Sequence, residues 1–440
     1  IGLVGSEMCI RDSFSVWKLR GFVCLMKFLS NHYIKNLSED FVLNLFASVV
    51  STGILQLVVY PKLALTLGSE GYGQMLTIMG IINVVILSFG NNLCNARIVQ
   101  QAKYNKKNII GDFQIIAAIS AAVSGIIVLF VNHSFGLSGI IGIGLLVATI
   151  LQVLKSYYLV AYRIDINYTK NLFANIFLAI GYLIGAFLTT RYLGWPSVFF
   201  LSALFSLIYI NITSPIIKEP IVVTELFGDS TKTVVFLLLS GLIGNVTTYL
   251  DRFIIYPILG SGSVSTYSTA AFFAKSISLV LLPITSVLLS YLAAGRVRIN
   301  GRRFTLVNLL LIVGAVLFLL VSATVGKWIT GLLYPTLIAD ALPYIVLASI
   351  GVIISFAGAF TGIVTLAIAP SYWQVILAAI KLVLYLVLGG VLTKSCGLFG
   401  LCYAVIVTNV IYYIINYFIG NHYVRVKELN EIANNEHFSD

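Results

Sequence analysis

The sequence predicts an all-α membrane protein: twelve transmembrane helices in two pseudo-symmetric six-helix lobes. Three observations carry that prediction. The 440 residues are 59% hydrophobic and only 10% charged, with a mean hydropathy of +1.00. A water-soluble chain of this length could not hide so much apolar surface, whereas a bilayer accepts it. Apolar windows of ~20 residues, enough to cross the hydrocarbon core, recur along the chain. A short pattern also occurs twice. Tyr60 to Met75 reads YPKLALTLGSEGYGQM, and Leu250 to Lys275 reads LDRFIIYPILGSGSVSTYSTAAFFAK. Aligning Leu67-Gly68-Ser69 on Leu259-Gly260-Ser261 gives an offset of 192 residues (260 − 68), which reads as two related halves.

Taken in order, the chain opens IGLVGSEMCIRDS, without an initiating methionine or the unbroken apolar core of a signal peptide. Met26, followed by KFLSNHYIKNLSEDF, reads as the native start, and residues 1–25 as a sequencing or cloning artefact. Residues 1–39 form a cytoplasmic N-terminal segment. The N-terminal lobe, 40–217, holds windows at 41–61, 72–96, 114–132, 138–161, 171–190 and 197–216. A polar cytoplasmic linker, KEPIVVTELFGDSTK over 218–232, follows. The C-terminal lobe, 233–420, holds windows at 233–257, 265–293, 304–325, 341–368, 371–393 and 398–419, and 421–440 is a cytoplasmic tail. The window 341–368 is long and Gly-rich, as expected of a tilted or broken helix, and Pro283 and Pro370 bend or bound their spans. Six spans per half start both halves on one side, so the repeats are parallel, related by an axis along the membrane normal.

Charge sets the orientation. From Met26 onward, seventeen lysines and arginines fall on the side of the termini and five (Lys62, Arg191, Arg252, Lys327 and Lys394) on the other. The positive-inside bias then puts both termini in the cytoplasm. The formal charge of +11 is spread over alternate loops in this way, which argues against nucleic acid as a partner. The five cysteines lack CxxC spacing, and His32, His133, His422 and His437 lie in tails or loops, so neither a zinc site nor a disulfide framework is expected. No Walker P-loop, HExxH motif or carboxylate pair suited to glycoside chemistry occurs. The expectation is a non-enzyme without a cofactor, with membrane lipids around it.

Ionisable residues inside spans are the sharpest functional signal, since each costs ~2.5–3.5 kcal/mol at a helix centre. Lys275 lies about ten residues into the eighth span and Lys381 about ten into the eleventh, both ~15 Å deep at 1.5 Å per residue. No carboxylate is expected at their depth, so two unpaired cations facing a water-filled cavity would receive an anion. The bland alternative is that each snorkels or bonds backbone carbonyls. Asp251 and Arg252 fall near the outer edge of the seventh span and point ~100° apart, either toward a ligand or as an interfacial anchor with Asp251 paired to a neighbouring helix. Arg97 ends the second span after Asn91-Asn92-Leu93-Cys94-Asn95. It either guides an anionic headgroup or is an ordinary positive-inside arginine, and the asparagines need partners or water. Tyr60, Tyr249, Tyr256, Tyr267 and Trp195 read as an aromatic belt at the outer interface, with stacking on sugar rings as the alternative.

Asp251-Arg252 with Leu259-Gly260-Ser261 and Tyr267-Ser268 resembles the seventh-span signature of Wzx-type bacterial polysaccharide flippases. These belong to the multidrug/oligosaccharidyl-lipid/polysaccharide exporter (MOP) superfamily. Leu67-Gly68-Ser69-Glu70-Gly71-Tyr72-Gly73 resembles the same family's first turn, and Gly397-Leu398-Phe399-Gly400-Leu401 the start of its last span. The resemblance runs from about Asp40 to Phe418. It implies two six-helix, MATE-like lobes around a V-shaped cavity open alternately to each side. It also implies a substrate of undecaprenyl pyrophosphate carrying an oligosaccharide, moved to the outer leaflet for O-antigen, capsule or exopolysaccharide synthesis. A monomer is implied, with polysaccharide polymerase machinery as a further partner. On this resemblance Lys275, Lys381, Arg97, Arg252 and Asp251 form the substrate-binding set, the last three matching positions where the family tends to carry charge.

Two other functions compete. A cation-coupled multidrug antiporter of the same fold would place a carboxylate inside the first lobe, where Asp40 and Asp112 sit only at edges. A membrane-embedded O-antigen polymerase or ligase would show a large basic outer loop, and this chain has none.

Overall fold

A computed structural model of the chain describes residues 46–47, 49–104, 111–137, 139–165, 167–189, 194–293, 299–370 and 372–436. The expected N-terminal segment 1–39 lies outside the described residues, as do the start of the window 41–61 and the basic residues Lys106, Lys107, Arg191, Arg296 and Arg298 of the charge count. Among the described residues there is no β-strand, and ten helical stretches are long and apolar enough to cross a membrane. They are α1 (Val49–Gln101), α2 (Asp112–Ser134), α3 (Gly139–Ile164), α4 (Tyr168–Leu188) and α5 (Pro196–Thr213), then α6 (Phe227–Leu259), α7 (Ser261–Ala293), α8 (Gly301–Leu333), α9 (Ile338–Ile368) and α10 (Tyr372–Glu436). In hydrocarbon every backbone N–H and C=O must find a partner within the segment, which the helix provides. The chain is a multi-pass membrane protein.

Ten stretches stand against the twelve expected because two of the boundaries fall inside continuous runs. Gly68 breaks α1 at φ 69°, ψ −179°, and Gly397 breaks α10 at φ 62°, ψ −143°. Gly260, which alone separates α6 from α7, adopts φ 81°, ψ 175°. This positive-φ, extended region is closed to residues with a Cβ, so the repeated Leu-Gly-Ser pattern codes one local geometry twice. At Gly397 the chain doubles back. A Cβ on Gly400 would lie 1.9 Å from the Leu392 carbonyl oxygen, whereas eight residues of continuous helix span ~12 Å.

Several ends differ from expectation. Helix α6 begins at Phe227, inside the expected linker, and α7 begins at Ser261 directly after the turn. In the Gly-rich window, a 3₁₀ turn over Leu342–Tyr344 interrupts α9, and Pro370 separates it from α10. Within the first five helices, α4 and α5 approach closely. A Cβ on Gly181 or Gly185 would fall 2.4 Å from the Cα of Ser202 or Val198, the small-residue contact that lets membrane helices pack by van der Waals attraction.

The first and second sets of helices meet along the 69–101 limb of α1. At the end carrying Gly68 and Gly260, a Cβ on Gly73 would stand 1.8 Å from the Ser261 carbonyl oxygen. There the hydroxyls of Ser69 and Ser265 lie 2.8 Å apart, and those of Tyr72 and Tyr334 3.4 Å apart. The largest apolar core gathers at this glycine-turn end, drawing Tyr60, Met75, Ile254, Tyr267 and Leu401 from both sets. Tyr60, Tyr267 and Trp195 are buried in it, which overturns the aromatic-belt expectation for those three. Belt residues face headgroups, whereas these rings fill the contact between helices. At the opposite end, Gln100 donates to the Asp229 carboxylate at 3.2 Å and to Thr233 at 2.6 Å, and Tyr104 donates to Asp229 at 2.9 Å. The connection between the sets docks there under the first set. Asp112 accepts from the backbone N–H and hydroxyl of Thr224 at 2.7 and 2.6 Å, and Gln114 donates to the Ile216 carbonyl.

Candidate functional site

The α6–α7 hairpin places its charges by simple geometry. Asp251 lies nine residues before Gly260, ~13 Å along the helix, which approaches half the ~30 Å hydrocarbon core. With no loop after Gly260, α7 descends directly beside α6, and the Lys275 ammonium meets the Asp251 carboxylate in an ion pair. The expectation of an unpaired Lys275 is therefore wrong. It rested on span ends that put Asp251 at the membrane edge, and the one-residue turn brings the carboxylate within the lysine's reach.

The two partners are unequally placed. The Asp251 side chain is 5% exposed and that of Lys275 33%. Asp251 is held from a second direction by the Arg252 backbone N–H at 2.9 Å. The Lys275 ammonium also stands 5.5 Å over the Tyr267 ring, a cation–π contact.

Arg252 points away from this pair, as adjacent helical positions must. Its guanidinium donates to the Leu76 carbonyl on α1 at 2.7 Å and lies 5.4 Å from the Tyr249 ring, so it bridges the two sets of helices.

Lys381, on the 372–396 limb of α10, is placed differently. Its ammonium donates to Ser355 on α9 at 3.2 Å and stands 4.7 Å over the Tyr412 ring. Among the described residues no carboxylate lies within 4.0 Å of it. Two turns along the same limb, Gly389 packs against Ile254, one turn beyond Asp251. The structure thus places Asp251, Arg252, Lys275 and Lys381 on the second set of helices and brings the side chains of Asp251 and Lys275 together.

Arg97 stands apart from them. It is buried at the far end of α1, donating to Tyr157 at 2.6 Å and to Glu219 at 2.7 Å, with the Phe113 ring 5.8 Å away. It ties the connecting segment to the first set.

The asparagines flagged in the second span find mixed environments. Asn95 accepts from Arg163 at 3.1 Å, Asn91 is exposed, and Asn92 packs against Gly241 with its amide nitrogen unpartnered among the described residues. Sequence reasoning missed Ser355 and Tyr412, neither of which is distinguishable from an ordinary span residue without the fold, and it read Tyr267 as a belt residue rather than as the ring beneath Lys275. It also missed an exposed stripe of small and polar residues, Ser240, Gly244 and Thr248, one turn apart on α6. That spacing was a readable signal. A cleft of about 350 Å³ between α7, α8 and α9 is lined by apolar side chains, among them Leu281, Phe318 and Phe356, and has no charge with which to recognise a headgroup.

No family model and no curated protein matches this chain. Solved structures do match its fold. An inward-facing multidrug resistance MATE family transporter of the MOP superfamily aligns over 88% of this chain and 95% of its own, with a TM-score of 0.61 at 14% identity. The lipid II flippase MurJ, in an inward closed conformation, aligns over 89% of each chain with a TM-score of 0.62 at 16% identity. A MOP superfamily transporter from Pyrococcus furiosus, described as having a binding pocket of reversed polarity that suggests a different function, aligns over 88% of this chain and 95% of its own, with a TM-score of 0.62 at 12% identity. The chain has the fold of MOP superfamily transporters.

Proposed function

We propose that this protein is a Wzx-type flippase. It moves undecaprenyl pyrophosphate carrying an oligosaccharide repeat unit from the cytoplasmic to the outer leaflet of a bacterial inner membrane. The observation that carries this reading is Lys381, an ammonium inside the membrane held only by a hydroxyl and a ring face among the described residues. Such a charge costs ~2.5–3.5 kcal/mol at a helix centre, a cost that a bound phosphate offsets. Lys275, partly exposed on the same set of helices, supplies the second cation. A lipid II flippase shares the fold, which supports a lipid-linked substrate.

In this reading the linker end faces the cytoplasm, with both termini, and the glycine-turn end faces outward. The contacts at Gly73, Ser69 and Tyr72 then describe a transporter closed to the outside. Rocking of the two lobes opens that end and closes the other. Arg252, which reaches across to α1, registers the lobes during the motion. The protein acts as a monomer and hands its cargo to the polymerase machinery.

A second reading, a cation-coupled multidrug antiporter, is favoured by one observation, the buried Asp251 carboxylate, and MATE transporters share the fold. Reconstitution separates the two. Proteoliposomes loaded with an undecaprenyl-pyrophosphate-linked oligosaccharide are probed with a membrane-impermeant glycosidase. The flippase reading expects glycan to change leaflets with the wild type and not with Lys381→Ala. Failure to move glycan, together with export of a cationic dye against a proton or sodium gradient, transfers the function to the antiporter.

A further inference from the structure

We infer that Lys275 is a switching cation: it is held by Asp251 in the empty carrier and turns to the phosphate of the substrate when the carrier loads. This rests on the anionic-substrate reading above and adds the order in which the two lysines act.

The asymmetry of the pair is the first ground. Asp251 is almost fully enclosed, whereas a third of the Lys275 side chain is exposed. Of the two partners, the ammonium and not the carboxylate is therefore the one an arriving ligand can touch. The second ground is which partner can move. Asp251 keeps the Arg252 backbone N–H when the lysine leaves, so its carboxylate is not stripped of every donor. Lys275 ends a flexible four-carbon stem, and the Tyr267 ring beneath it holds a cation in more than one direction. The third ground is the contrast with Lys381, which has no carboxylate among the described residues and rests on Ser355 and Tyr412. Lys381 is thus ready for an anion at all times, and Lys275 only once its partner has been displaced.

The consequence is a carrier whose charge is balanced differently when empty and when full. Two bare ammonium groups inside a membrane would oppose the return of the empty protein. Pairing one of them with Asp251 removes half of that burden, and the pair re-forms when the headgroup departs. Asp251 stands in for a phosphate oxygen on the way back.

The test measures binding of farnesyl pyrophosphate, a soluble amphiphile with the required headgroup, to the purified full chain in detergent. The wild type is expected to bind it, Lys275→Gln to bind more weakly, and Asp251→Asn to bind about tenfold tighter, since the internal competitor is gone. Inorganic pyrophosphate in competition shows whether the anion alone is enough or the hydrocarbon chain contributes, and Asp251→Asn strengthens both. The double variant Asp251→Asn/Lys275→Gln removes both charges together and is expected to fold as the wild type and bind as Lys275→Gln does. Wild-type binding that Asp251→Asn leaves unchanged or weakens overturns the switch while the flippase reading stands. Absence of binding in the wild type overturns both. Should Asp251→Asn not fold, the infrared difference spectrum of the wild type on adding farnesyl pyrophosphate carries the test. Displacement requires a change in an ion-paired carboxylate band that Asp251→Glu shifts and the double variant lacks, and a spectrum without it overturns the proposal.

Discussion

Gly73 is the position where a single methyl group should change the conformational balance of the whole protein. Its ideal Cβ would stand 1.8 Å from the Ser261 carbonyl oxygen and 2.6 Å from the carbonyl carbon, where ordinary contacts begin at 3.4 Å. The obstacle is backbone, which no rotamer change can move aside, so the glycine-turn ends must separate by about 1.6 Å at that point. Overpacking of this kind costs ~1–3 kcal/mol. Only the state closed at this end bears the cost, so its population relative to the open state should fall about 5- to 150-fold. Crosslinking reads that population directly. The Ser69 and Ser265 hydroxyls are 2.8 Å apart, so Ser69→Cys/Ser265→Cys, in a background freed of the native cysteines, should form a disulfide in the closed state. Adding Gly73→Ala should slow its formation, and Gly73→Val should slow it further, while both variants remain folded. Transport should fall with the same ranking, because a carrier held open at one end cannot complete its cycle. Undiminished crosslinking and transport in Gly73→Val would refute the close contact and the gate built on it.

Two further outcomes follow from the packing. Arg97→Gln leaves Glu219, 14% exposed, without its partner in a buried site, and breaking such a pair costs ~3–5 kcal/mol. Thermal unfolding in detergent should shift clearly downward while the folded fraction still transports, whereas normal stability with lost transport would return Arg97 to the role of headgroup guide. Gly181→Val forces a side chain into the Ser202 backbone 2.4 Å away and should cost ~1–3 kcal/mol, seen as a lower unfolding temperature than in Gly314→Ala, an exposed control on α8 where a Cβ meets nothing within 4 Å.

The membrane class, the recurrence of apolar helices and the two matching turns were legible in the sequence, because each is a local property. Apolar content decides whether a segment prefers lipid, and Gly68 and Gly260 declare by residue type that the backbone enters a region other residues avoid. Lys275 and Lys381 were legible as candidates for the same reason, since a charge in an apolar run is conspicuous wherever the run folds. Their partners were not. Asp251 and Lys275 are 24 residues apart, and whether they meet depends on a turn of one residue rather than several, a difference of a few residues in span ends that hydropathy does not resolve. The ring beneath Lys381 comes from Tyr412 and its hydroxyl from Ser355, contributed by other helices whose rotation and crossing are set by packing throughout the second set. Arg97 shows the same limit from the other side. Its charge at a span end carried two readings, and only the docking of the connecting segment, which delivers Glu219, chose the pair it makes. Sequence determined which residues enter the membrane with a charge; the tertiary structure decided which of those charges are already answered, because an ion pair is a matter of distances between helices and not of any helix alone.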